Sequence, residues 1–128
     1  WFTGSKVKVV GVEPEGSRAL QAAFDAKGPV EVKVASVAAD SLGARNVGQL
    51  VYDVTKDSVD HVALVPDAAI TEAQGVLWRD FRLAVEPGGA AALGALLCGA
   101  YKPAKGERLG VLVCGANVDL TKLAAIVG

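Results

Sequence analysis

The stretch Arg108-Leu-Gly-Val-Leu-Val-Cys-Gly-Ala-Asn-Val-Asp119 constrains the fold more tightly than any other. Gly110 through Val113 is an uncharged, apolar, β-branched run, the pattern of a strand buried on both faces. Cys114-Gly115-Ala116-Asn117 ends it in a short loop, and Asp119 reads as the N-cap of a helix through Leu120, Leu123, Ala124 and Val127. In open α/β sheets, ligands bind at the carboxyl ends of the strands. Cys114 and Asn117 stand at such an end and are candidates for touching a ligand.

The remainder of the chain repeats the alternation of strand and helix. Lys6 to Val12 is strand-like, and Glu13-Pro14-Glu15-Gly16 reads as the turn that closes it. Ser17 reads as the cap of a short helix through Leu20, Ala23 and Phe24 that stops at Gly28. Val30 to Val34 alternates as a half-exposed strand. Ala35 to Arg45 is dense in small residues, which suggests a loop pressed against a helix or a ligand. A helix from about Ala44 to Val54 follows, with Val47, Leu50 and Val51 on one face. Val59 to Val65 is a buried strand, and Pro66-Asp67 opens a helix that ends around Phe81. After the brief apolar run Leu83 to Val85, Glu86-Pro-Gly-Gly leads into Ala90 to Leu97. That helix is so apolar that burial all round is expected, with Cys98 in the core and Gly99 as its stop. Tyr101 to Glu107 is a polar surface loop. The fold class predicted is α/β, a mainly parallel sheet with helices on both faces.

Composition excludes several functions. With 128 residues and 52% hydrophobic content, the chain builds one core. Its 13 basic and 14 acidic residues are interspersed, and no basic stripe points to nucleic acid. No stretch is long and apolar enough for a membrane span, and no signal peptide is visible. Cys98 and Cys114 lack metal-ligand spacing, and His61 is the only histidine, which argues against a Cys/His metal site. A soluble, cytoplasmic protein with reduced thiols is expected. The chain has no methionine and opens on Trp1-Phe2-Thr3-Gly4, which looks like the end of a buried helix and a turn. It is read as a piece of a longer protein.

Four chemical features stand out. Cys114 is a ligand contact, a nucleophile or a small buried hydrophobe, and no histidine motif supports the nucleophile. Glu13 and Glu86 each end a strand ahead of a helix, where a solvated or dipole-facing carboxylate is the plain alternative to a functional one. Glu86 lies between two apolar segments, so it must be paired, hydrogen-bonded or functional. Asp40 is most simply a turn residue. Gly88-Gly89 offers free N–H groups to a phosphate, and close helix packing explains the pair equally well.

Ala35-Ser-Val-Ala-Ala-Asp-Ser-Leu-Gly-Ala-Arg-Asn-Val-Gly48, Val85-Glu-Pro-Gly-Gly-Ala-Ala-Ala-Leu93 and Val113-Cys-Gly-Ala-Asn-Val-Asp-Leu120 occur in one order. Together with Val9-Val-Gly-Val-Glu-Pro14 they resemble the C-terminal half of the catalytic domain of serine/threonine dehydratases. These are pyridoxal-phosphate enzymes of the tryptophan-synthase-β (type II) fold. The resemblance implies that residues 1–128 are an incomplete part of such a domain. It implies that Cys114 faces the pyridine nitrogen of the cofactor, where a neutral thiol leaves that nitrogen unprotonated and suits β-elimination. Gly115 would let the backbone approach the ring, Glu86 would border the cofactor, and Ser41 falls where many relatives carry a cofactor-side glycine. Glu13 and the main chain at Ser17 match a cation site. Ala19 replaces an acidic ligand there, which leaves a monovalent, potassium-like ion.

The Ser-x-Lys-x-Arg context of the family's Schiff-base lysine is absent, as are the Ser-x-Gly-Asn substrate loop and the tetraglycine phosphate loop. The chain alone is therefore expected to lack dehydratase activity. The activity implied for the whole protein is conversion of L-threonine or L-serine to a 2-oxo acid and ammonia, with racemisation as another reaction of the fold. A homo-oligomer is expected, since exposed sheet edges favour association. The reading from another class is a non-catalytic α/β ligand-binding or subunit-interaction module.

Overall fold

Val10–Pro14 (β1) and His61–Val65 (β2) pair in parallel, with Val10 opposite His61 and Pro14 opposite Val65. The computed structural model describes residues 4–128, and these strands form the one sheet among them. The Trp1-Phe2-Thr3 part of the expected helix end lies outside the described residues. Side chains alternate along a strand, so Val10, Val12, Ala63 and Val65 share a face. That face meets α4 (Asp67–Phe81) and α5 (Pro87–Leu97) in a core of Ile70, Ala73, Leu77, Ala90, Ala91 and Ala95. Gly11 lies on the other face, where Leu20 of α1 (Ala19–Ala26) reaches over it. Helices thus flank both faces of a parallel pair, as the alternation predicts.

The α4–α5 contact is close because α5 presents small residues. A Cβ at Gly94 would stand only 3.1 Å from the Ala69 carbonyl oxygen. α4 spans the segment predicted for it, starting after Pro66 and ending at Phe81. α6 (Leu120–Val127) is capped as expected: the Asp119 carboxylate accepts from the Thr121 N–H at 2.8 Å and the Lys122 N–H at 3.2 Å. Among the described residues no helix is long and apolar enough to cross a membrane.

Several local expectations change. β1 starts at Val10 and runs through Pro14, so Glu13-Pro14 is strand and not turn. The Glu15 N–H bonds the Val65 carbonyl at 2.9 Å, so the intervening Pro14 turns its missing donor away from β2. Ser17 does not cap α1: its hydroxyl donates to the Leu42 carbonyl, and Arg18 takes the N-cap position without a side-chain bond. Val30 to Val34 alternates in burial without joining a ladder.

α2 (Ala39–Leu42) lies inside the small-residue stretch, and α3 (Gly48–Thr55) starts later than predicted. The face of α3 expected to be buried is open, with Leu50 77% exposed. α5 begins at Pro87, is buried where it meets α4 and the sheet but not all round, and leaves Leu97 exposed. Cys98 is its C-cap and is exposed, not core. Gly110 to Val113 forms no ladder and is exposed, because no described strand lies beside it to satisfy its backbone.

Candidate functional site

Glu86 sits at the junction of the extended run Leu83–Val85 and α5, as the N-cap of that helix. Pro87 occupies the first helical position, where its missing N–H costs nothing. The Glu86 carboxylate therefore stands at the positive end of the α5 dipole. The Glu86 N–H donates to the Gly115 carbonyl at 3.0 Å, which ties the junction to the loop after Val113. Gly115 has φ +75°, and a Cβ there would run into the Glu86 carboxylate. The positive φ is the condition that favours glycine here, since the Glu86 side chain could swing aside.

The same loop lies across the start of α5. A Cβ at Gly89 would collide with the Cys114 carbonyl, and one at Gly88 would collide with the Ser41 hydroxyl. The space above the two glycines is thus filled by protein, so close packing and not a free phosphate cradle accounts for the pair. Ser41, Glu86 and the Cys114-Gly115 pair are far apart in sequence and meet at this one place. The Cys114 thiol is exposed at its edge.

A cleft of about 370 Å³ opens beside Glu86, with Asp40, Ser41, Thr71, Gln74, Asn117 and Lys122 among its walls. Cys114 and Gly115 support this cleft through Glu86 and do not line it. A larger cavity of about 780 Å³ runs along residues 6–10, α5 and the 107–112 segment. It touches none of the predicted site residues, and Lys6, Lys8, Tyr101, Glu107 and Arg108 stand among its otherwise apolar walls.

Glu13 and Ser17 form a separate group. The Glu13 carboxylate accepts from the Leu20 N–H at 2.8 Å and the Gln21 N–H at 2.9 Å, closing the first turn of α1. The dipole-facing role weighed for this residue is the one it plays. Its neighbour Ala19 is buried and offers no ligand oxygen from its side chain. Among the described residues no three His, Cys, Asp or Glu side chains converge on a metal position.

Sequence reasoning found Asn117 and missed Gln74, Thr71 and Lys122 as cleft residues. Gln74 carried a signal. It stands on the apolar face of α4 between Ile70 and Leu77, where periodicity calls for a hydrophobe, and it is only 3% exposed. Its side-chain amide donates to the Val85 carbonyl at 2.7 Å.

What is present is a polar cleft beside the start of a helix, with an exposed thiol close by. Residues 2–115 match a family described as pyridoxal-phosphate dependent enzymes. Phenylserine dehydratase of Ralstonia pickettii is 37% identical over 121 residues, covering 94% of this chain and 37% of that protein. Biosynthetic L-threonine dehydratase of Escherichia coli is 34% identical, over 89% of this chain and 22% of its own length. Among solved structures, threonine deaminase isoform 2 of Solanum lycopersicum superposes with TM-score 0.83 at 27% identity, covering 94% of this chain and 35% of that one. Maize serine racemase gives TM-score 0.80 at 31% identity, over 93% and 37%. The chain thus spans well under half the length of these relatives. With the matched segment taking in Glu86, Cys114 and Gly115, the chain belongs to the pyridoxal-phosphate dependent enzyme family.

Proposed function

We propose that the protein this chain belongs to is a pyridoxal-phosphate-dependent ammonia-lyase acting on a small 3-hydroxy amino acid, L-threonine or L-serine, to give a 2-oxo acid and ammonia. The observation that carries the reading is the meeting of Glu86 with the Cys114–Gly115 loop at the start of α5, beside a polar cleft. Bound there, pyridoxal phosphate supplies an electron sink for the substrate's α-carbon. The chain's own residues bind and orient. Cys114 would face the ring nitrogen with its thiol, Gly115 would let the backbone approach the ring, and Glu86 and Ser41 would border it.

Residues 1–128 are one part of the catalytic domain in this reading, and the lysine and phosphate loop belong to another part. A potassium-like ion at Glu13 and the Ser17 main chain belongs to the same reading, since each Glu13 oxygen keeps a second lone pair. The enzyme is cytoplasmic, takes part in amino-acid metabolism and works as a homo-oligomer. Likeness to maize serine racemase supports racemisation as the second reaction on this scaffold.

The test uses the full-length protein and the 128-residue chain side by side. Full-length protein is expected to purify with the visible absorbance of bound pyridoxal phosphate and to release a 2-oxo acid from L-threonine or L-serine. The short chain is expected to do neither. Full-length protein that binds no pyridoxal phosphate overturns the reading, and chiral analysis of the amino acid separates elimination from racemisation.

A further inference from the structure

We infer that Gln74 is a positioning residue for this site: its side-chain amide holds the Val85 carbonyl and so fixes where Glu86 meets Gly115. The inference rests on the cofactor reading above and adds a residue that lies outside its motifs.

The argument starts from a misfit. Gln74 is buried to 97% on a helix face whose other members are Ile70, Ala73 and Leu77. An amide buried in an apolar core is unfavourable unless its hydrogen bonds are met. Here the donor is met by the Val85 carbonyl at 2.7 Å, and Val85 is itself only 5% exposed. Val85 belongs to no ladder, so among the described residues its carbonyl takes this donor and not a strand partner.

The next residue is Glu86, whose own N–H bonds the Gly115 carbonyl at 3.0 Å. Gln74, Val85, Glu86 and Gly115 therefore form one chain of contacts from the middle of α4 to the loop that carries Cys114. Gln74 also reaches the wall of the Glu86 cleft, so the anchor and the site share one boundary. Its opposite number on the helix, Ile70, packs in the core and reaches no such wall. A hydrophobe of equal size at position 74 would pack as well but would leave the Val85 carbonyl without its partner. The junction would then be free to shift, and Glu86 with it.

The experiment uses the full-length protein and the variant Gln74→Met, which keeps length and volume but has no donor. Two readouts separate positioning from mere packing: the affinity and visible circular dichroism of bound pyridoxal phosphate, and hydrogen exchange at the Glu86 amide. Expected are an affinity loss of about tenfold or more, a changed visible dichroism, and roughly tenfold faster exchange at Glu86. Unchanged dichroism and affinity in a folded Gln74→Met protein would overturn the inference while the cofactor reading stands. Wild-type protein that binds no pyridoxal phosphate would sink both. Should Gln74→Met fail to fold, wild-type side-chain exchange decides: slowly exchanging protons on the Gln74 amide, which donates to the Val85 carbonyl, support the anchor, and freely exchanging ones contradict it.

Discussion

At the scale of single residues, the site depends on what is absent from Cβ positions. Gly89 lies directly beneath the Cys114 carbonyl, and the backbone above it has no flexible end to move aside. Gly89→Ala in the full-length protein is expected to cost about 1–3 kcal/mol, the range for forcing an atom into a packed interior. Gly28 is the control, since a Cβ there meets nothing within 4 Å. Urea unfolding of the two variants checks the difference, and equal midpoints would contradict the packing described. Gly115 is tied to its place by its positive φ. Cys114 was legible as a candidate because of its position after an apolar run. Gln74 was overlooked because residues with the same 3.6-residue spacing hid a polar member among them.

At the scale of elements, local signals worked wherever the contacts that make an element are local. Pro66-Asp67 and Asp119 mark helix starts through groups within one turn, and α4 and α6 follow them. The start of α1 is different, because its cap comes from Glu13 across an intervening turn, not from the adjacent Ser17. Glu13→Ala removes both acceptors and is expected to destabilise α1 by about 1–2 kcal/mol, as loss of a cap does. Glu13→Gln, which keeps one acceptor oxygen, is expected to lose less. Denaturant melts followed by helical circular dichroism test this order, and equal losses would show that charge and not bonding matters. The run Gly110–Val113 failed as a strand prediction for a related reason. A strand needs a neighbour, and sequence composition states only that one would be favourable.

At the scale of the whole molecule, the apolar surface is extensive. Leu112 is 74% exposed in an unpaired extended segment, and Leu50, Val51 and Val54 leave one side of α3 open. Unpaired extended backbone with apolar side chains favours association. The 128-residue chain expressed alone is therefore expected to sediment as more than a monomer, with Leu112→Lys shifting it towards the monomer. A monodisperse monomer of the unmodified chain would show that these surfaces are inert.

The sequence by itself determined the α/β alternation and the bounds of α4 and α6, while of the candidate ligand groups it assigned to strand ends only Glu13 lies on a described strand. It also carried the motifs by which the family is recognised. The tertiary structure alone decided that Ser41 meets Gly88, that the Cys114 carbonyl covers Gly89, and that Gln74 holds the Val85 carbonyl just before Glu86. The division follows the range of the forces. Caps and helical periodicity act within a turn or two of chain, so they can be read from neighbouring letters. Ladder pairing, backbone-on-glycine packing and a buried amide's choice of acceptor join distant segments, and these depend on where the chain has already been brought by its core.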